Sequence, residues 1–180
     1  MIRARVTIEV KSPDGKRKFK RTYKANSFVR NFLRLLGGFV MAKYPVDNWK
    51  LIDSVGADEV AGTANDDQAN LQNSEVMILV GNGTTAPHIH DHTIEALLGY
   101  SLVLATSEFD SNPVYEIFWQ VSIQNTDGVP WEVKETALYV RVKWDGTTEQ
   151  IMIARDKIDP LVDVADGDFV NVTYGLRSSV

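Results

Sequence analysis

The chain has 180 residues, 24 Asp+Glu against 19 Lys+Arg for a net charge of −5, and no cysteine. Composition this ordinary is that of a globular domain, and the missing thiols exclude a disulfide framework, a thiolate metal site and a cysteine nucleophile. No apolar run approaches the roughly 18 residues of a membrane span, and the opening Met1-Ile-Arg-Ala-Arg-Val6 has no unbroken apolar stretch after its charges, so it does not read as a secretory signal.

Residues 2–11 alternate cleanly, with Ile2, Ala4, Val6, Ile8 and Val10 on one face and Arg3, Arg5, Thr7, Glu9 and Lys11 on the other, the pattern of a half-buried strand. Ser12-Pro-Asp-Gly15 supplies turn chemistry, and residues 16–24 return as a second strand to make a basic hairpin over 1–24. In that second strand Lys16, Lys18, Lys20 and Lys24 share one parity, opposite Phe19 and Tyr23. Asn26 or Ser27 can cap a helix, and Phe28, Val29, Phe32, Leu35, Leu36, Phe39 and Val40 recur at helical steps, which predicts one amphipathic helix over 26–43, weakened at Gly37-Gly38. A short strand around Trp49–Ile52 is followed by a polar, acidic stretch over 53–74 that reads as a long exposed loop. Glu75–Val80 is a compact apolar strand, broken by the glycines that follow, and a short helix is expected at about 91–98 with Ile94, Leu97 and Leu98 inward.

The remaining 80 residues read as strand after strand. Tyr115, Ile117, Trp119, Val121 and Ile123 alternate with polar neighbours, Asp145-Gly146 opens a hairpin, and Val170, Val172, Tyr174 and Leu176 line a final strand. Within 131–144 the apolar parity changes between Val133 and Leu138, the mark of a β-bulge. About nine short strands with one substantial helix predict a single domain over 1–180, mainly β, an antiparallel β-sandwich of jelly-roll or Ig-like kind.

All three histidines lie in Pro87-His88-Ile89-His90-Asp91-His92. On an extended segment His88, His90 and His92 fall on one side, so the three imidazoles can converge on a Zn, Fe, Ni or Cu ion. The His-x-His and following Glu resemble the first motif of the cupin metalloenzymes, although the glycine spacing differs and no further histidine remains for the second cupin motif. The resemblance implies Glu95 as a further ligand beside His88, His90 and His92, and a metal-dependent enzyme as the alternative function. Asp91 or His92 can instead cap the short helix while the other histidines face solvent, and in a trimer His-x-His pairs can meet on the axis. Acidic side chains crowd 58–67 and the penultimate connection, which read as solvated loops; Asp163, Asp166 and Asp168 also suit calcium at a subunit interface, although the EF-hand spacing is absent. Asn82-Gly-Thr84 and Asn171-Val-Thr173 match glycosylation sequons. No Gly-x-Ser-x-Gly elbow, Walker A loop or His-Glu-x-x-His pair is present, and no catalytic constellation stands out.

The charge is unevenly placed. Residues 1–43 hold 12 Lys+Arg and two acids, Glu9 and Asp14, a local net of +10; residues 44–180 hold seven Lys+Arg and 22 acids, a local net of −15. The lysine row of Lys16, Lys18, Lys20 and Lys24 can neutralise phosphates without reading bases, or dock on the acidic remainder of a neighbouring copy. Docking accounts for both halves of the charge and is preferred to nucleic acid.

Three sets of short motifs complete the reading: Tyr23-Lys-Ala-Asn-Ser27-Phe-Val-Arg-Asn-Phe32, then Val80-Gly-Asn-Gly83-Thr-Thr-Ala-Pro87, then Val133-Lys-Glu135-Thr-Ala-Leu138-Tyr, Ala154-Arg155-Asp156 and Gly167-Asp168-Phe-Val-Asn-Val-Thr173-Tyr174. Over most of its length the chain resembles β-rich virion structural proteins of tailed phages and archaeal viruses. The resemblance implies a non-catalytic capsid, decoration, turret or tail component located in the virion. Such a component needs no cofactor and has copies of itself and other virion proteins as partners.

Overall fold

The computed structural model describes residues 2–25, 50–52, 58–60, 75–103, 106–111, 114–144 and 147–179. They form eleven strands: β1 (Ile2–Lys11), β2 (Arg17–Ala25), β3 (Lys50–Ile52), β4 (Asp58–Val60), β5 (Glu75–Gly81), β6 (Leu97–Val103), β7 (Thr106–Ser111), β8 (Val114–Gln124), β9 (Trp131–Trp144), β10 (Thr147–Val164) and β11 (Phe169–Ser179). One sheet has the order β2-β1-β11-β8-β7, a second β10-β9-β5-β6, and β3 pairs with β4 alone. All pairings are antiparallel.

The alternation along β1 decides which way the first sheet faces. Val10, Ile8 and Val6 stand opposite Val170, Val172 and Tyr174 of β11, which in turn oppose Ile123, Val121 and Trp119 of β8. These rows meet Ile78, Val80, Val133 and Leu138 of the second sheet in one buried cluster, so the two sheets are the layers of a β-sandwich. The hairpin turn at 12–15 ends on Gly15 at φ +83°, a conformation only glycine adopts without strain. The parity change in β9 is also present. Register breaks between Lys157 and Val162 of β10, opposite Glu135 and Val133, so Val133 and Leu138 both reach the shared core despite their opposite parity.

The outer face of the second sheet carries a smaller core. Met77, Leu79, Ala137, Tyr139 and Met152 enclose Ile94, which arrives from the segment linking β5 to β6. Burying an isoleucine side chain contributes about 1.5–3 kcal/mol, and this holds the segment down on the sheet.

Several expectations need correction. Residues 91–96 are not helical, and Leu97 and Leu98 open strand β6. The reason is long-range: the backbone N–H groups of Ile94, Glu95 and Ala96 donate to Tyr139 and Glu135 of β9 and hold the segment open. Asp58–Val60 within the expected 53–74 loop is a strand, paired with Lys50–Ile52; the rest of that loop lies outside the described residues. So does the helix expected over 26–43. The described residues hold eleven strands where about nine are expected, and β10 spans 18 residues. Among the described residues no helix is long and apolar enough to cross a membrane.

Candidate functional site

The densest polar chemistry lies under the segment 82–96. Glu135 of β9 and Arg155 of β10 face each other on the outer side of the second sheet, their side chains 2% and 5% exposed, with Arg155 Nε donating to Glu135 Oε2 at 2.8 Å. Two buried charges are stable only when paired and fully hydrogen-bonded, and the segment supplies the other partners. Glu135 Oε1 accepts from the Gly83 and Ala96 N–H groups, each at 3.0 Å, and Oε2 from Glu95 N–H at 3.4 Å. Arg155 Nη1 donates to Asp91 Oδ2 at 2.9 Å, and Nη2 to Glu95 Oε2 at 3.3 Å and the Thr85 carbonyl at 3.5 Å. Glu95 also accepts from the Thr85 N–H and hydroxyl at 2.9 and 3.0 Å.

The electrostatics follow from these contacts. Burial alone would lower the Arg155 pKa, but the Glu135 and Asp91 carboxylates outweigh it and raise it. The Thr85 backbone N–H, then its hydroxyl, lower the Glu95 pKa. Burial pushes the Tyr139 hydroxyl up to about 12, which keeps it protonated while it accepts from Ile94 N–H at 2.9 Å.

The glycines on this segment are there because the backbone runs against a carboxylate. A Cβ on Gly83 would lie 2.3 Å from Glu135 Oε1 and 2.5 Å from Glu95 Cβ, and one on Gly81 would lie 2.4 Å from the Ala96 carbonyl oxygen. The Val80–Pro87, Val133–Tyr139 and Ala154–Asp156 stretches thus meet in a single knot. Asp156 and Thr136 pair on the opposite face of the same two strands, within the core between the sheets, beside the fully buried Tyr174 hydroxyl, whose pKa burial raises and the Asp156 charge raises further.

The knot holds up the histidines. Asp91 Oδ2 accepts from His88 N–H at 2.8 Å, and His88 Nδ1 accepts from His90 N–H at 3.2 Å. The rings of His88 and His90 are exposed, 5.1 Å apart and tilted by 41°; His92 is half-buried, and Ile89 between the first two is 49% exposed. Glu95, expected as a metal ligand, is turned toward Thr85 and Arg155. Among the described residues no three His, Asp or Glu side chains gather in a metal-holding group.

The acids expected around calcium occupy different positions. Asp163 lies exposed on β10 opposite Glu132, Asp166 accepts from Gly128 N–H at 3.0 Å, and buried Asp168 binds Lys18 Nζ at 2.7 Å. The four lysines are likewise divided. Lys20 and Lys24 stand on β2 opposite Glu9 and Arg5. Lys18 falls at the register shift and reaches Asp168, and Lys16 sits in the turn, its N–H held by Asp14.

Glu135, Arg155 and Tyr139 are not among the site residues that the sequence alone suggests. Their signal was charge and hydroxyl set in otherwise apolar strand runs, Thr136-Ala-Leu138 and Ile151-Met-Ile-Ala154, together with two glycines bracketing Asn82. No protein-family model, curated protein or solved structure matches the chain.

Proposed function

We infer that the chain is a non-catalytic structural subunit of a virion, in a capsid, decoration, turret or tail position, that assembles with copies of itself and with other virion proteins. The observation that carries this reading is the knot itself. Three of the motif stretches behind the resemblance to virion proteins, Val80–Pro87, Val133–Tyr139 and Ala154–Asp156, meet there, and Glu135, Arg155, Asp91 and Glu95 are bonded to one another and to backbone. That arrangement stiffens a surface and fixes an exposed loop, Pro87–His92, which is what a subunit needs to present a defined contact. The chain order adds detail: β1 with β2, β5 with β6, β7 with β8, and β9 with β10 are neighbours within a sheet, an arrangement nearer to an Ig-like sandwich than to a jelly roll.

Light scattering after size exclusion, with electron microscopy of the peak, tests the assembly. A ring, shell or filament that weakens as salt rises is expected. A chain that stays strictly monomeric at high concentration and low salt would overturn the reading.

A further inference from the structure

We propose that strand β6 is a self-pairing edge, through which two copies join their second sheets antiparallel across a two-fold axis centred on Tyr100. The proposal deepens the self-assembly reading and rests on it.

Among the described residues each of the two large sheets ends in two edge strands, and an edge strand offers a row of backbone donors and acceptors to any other chain unless it is blunted. Three of the four edges are blunted by charge or proline. Strand β2 carries five cations, Arg17, Lys18, Lys20, Arg21 and Lys24; β7 carries Glu108 and Asp110; β10 carries Asp159, Pro160 and Asp163 around its register break. Strand β6, Leu97-Leu-Gly-Tyr-Ser-Leu-Val103, has no charge and no proline. Among the described residues it pairs only with β5. Two of its apolar side chains stand in water, Leu97 at 52% and Tyr100 at 60% exposed.

The same inventory selects a second copy as the occupant. A two-fold axis places a strand against itself, so β2 would set lysine against lysine, and β7 and β10 would set acid against acid, each destabilising. An uncharged strand incurs no such repulsion. With Tyr100 on the axis, Gly99 faces Ser101 of the second copy and Leu98 faces its Leu102. Tyr100 faces its own counterpart, giving an aromatic cross-strand pair. Leu79, beside Tyr100 in register, belongs to the small outer core, so the contact extends an apolar surface already packed. The joined sheet runs through eight strands, with β10 of each copy at its ends.

The chain has no cysteine, so one introduced thiol is an unambiguous reporter. Directly opposed Cα atoms in an antiparallel pair are roughly 4.5–5.5 Å apart, inside the range of about 4.4–6.8 Å that a disulfide bridges. Under mild oxidation the full-length Tyr100→Cys variant is expected to run mainly as a covalent dimer, while Val129→Cys, at another exposed apolar site, is not. Equal crosslinking of the two would overturn the pairing. Tyr100→Lys, which sets like charges across the axis, is expected to weaken the dimer roughly tenfold with an unchanged melting temperature in dilute solution, where the chain is monomeric; an unchanged dimer constant overturns the proposal.

Hydrogen exchange on the unmodified chain adds a test free of substitutions. The β6 amides should lose protection on dilution, as the dimer parts. Protection that does not depend on concentration would mean the chain covers its own edge, and it too overturns the pairing. Assemblies that persist in Tyr100→Lys, with no Tyr100→Cys crosslink, overturn the β6 contact and leave self-assembly standing. A monomer at every concentration overturns both.

Discussion

Arg155 illustrates why removing one buried charge differs from removing two. Truncating it to alanine leaves the Glu135 carboxyl without its ion-pair partner and nearly sealed from water, which costs about 3–5 kcal/mol. For a simple buried pair, replacing both members by apolar side chains is often neutral. Here it is not, because Glu135 also accepts the Gly83 and Ala96 N–H groups at 3.0 Å, and each orphaned donor costs roughly 1–3 kcal/mol. The expected order of stability is therefore wild type, then Arg155→Met with Glu135→Met in the same chain still clearly destabilised, and Arg155→Ala also far below wild type. Urea unfolding midpoints measure it. A double variant as stable as wild type would show that Glu135 serves the arginine alone and that the backbone of 82–96 does not depend on it.

At the scale of elements, the latch on segment 82–96 should loosen in acid. The Glu95 pKa is lowered from its ordinary 4.5 by the Thr85 N–H and hydroxyl, so the carboxylate contributes its full stabilisation above that value, and the contribution is lost as pH falls through the lowered one. Limited proteolysis of 82–96 should accelerate over that acid window while β1, β8 and β11 stay resistant. Glu95→Gln should already be loosened at neutral pH, with a flatter acid response; a segment equally resistant on both sides of the window would refute the latch. The same segment shows where sequence reading stops. Strands such as β1, β8 and β11 are legible because their side chains alternate locally and the alternation agrees with burial. The slip between Val133 and Leu138 is legible for the same reason. The helical spacing of Ile94, Leu97 and Leu98 predicts a helix over 91–98, yet the backbone donors of Ile94, Glu95 and Ala96 are claimed by Tyr139 and Glu135, about 40 positions away. No local pattern carries that information, nor does one mark Arg155 as the residue that positions the histidine loop through Asp91.

At the scale of the whole molecule, the charge division of +10 against −15 is partly closed within the chain. Arg5 bonds buried Glu116 at 2.7 Å and Lys18 bonds buried Asp168 at 2.7 Å, so these cations brace the first sheet. Arg17 and Lys11 both engage Glu9. Lys20 and Lys24 differ: both are exposed and neither forms an ion pair among the described residues. The two groups of lysines therefore predict opposite phenotypes. Lys18→Ala strands the Asp168 carboxylate, whose side chain is 4% exposed. The loss should be about 1–2 kcal/mol, discounted because Lys18 itself is half in water, with little change in assembly. Lys20→Glu with Lys24→Glu should leave stability within about 0.5 kcal/mol. It should nevertheless change the extent of assembly and reduce its salt dependence, since exposed charges act between molecules over a Debye length of about 10 Å at 0.1 M salt. Thermal melts and light scattering across a salt series read the two effects separately. If Lys18→Ala altered assembly while the Lys20 and Lys24 pair altered only the melt, the division of cations into internal braces and outward contacts would be reversed.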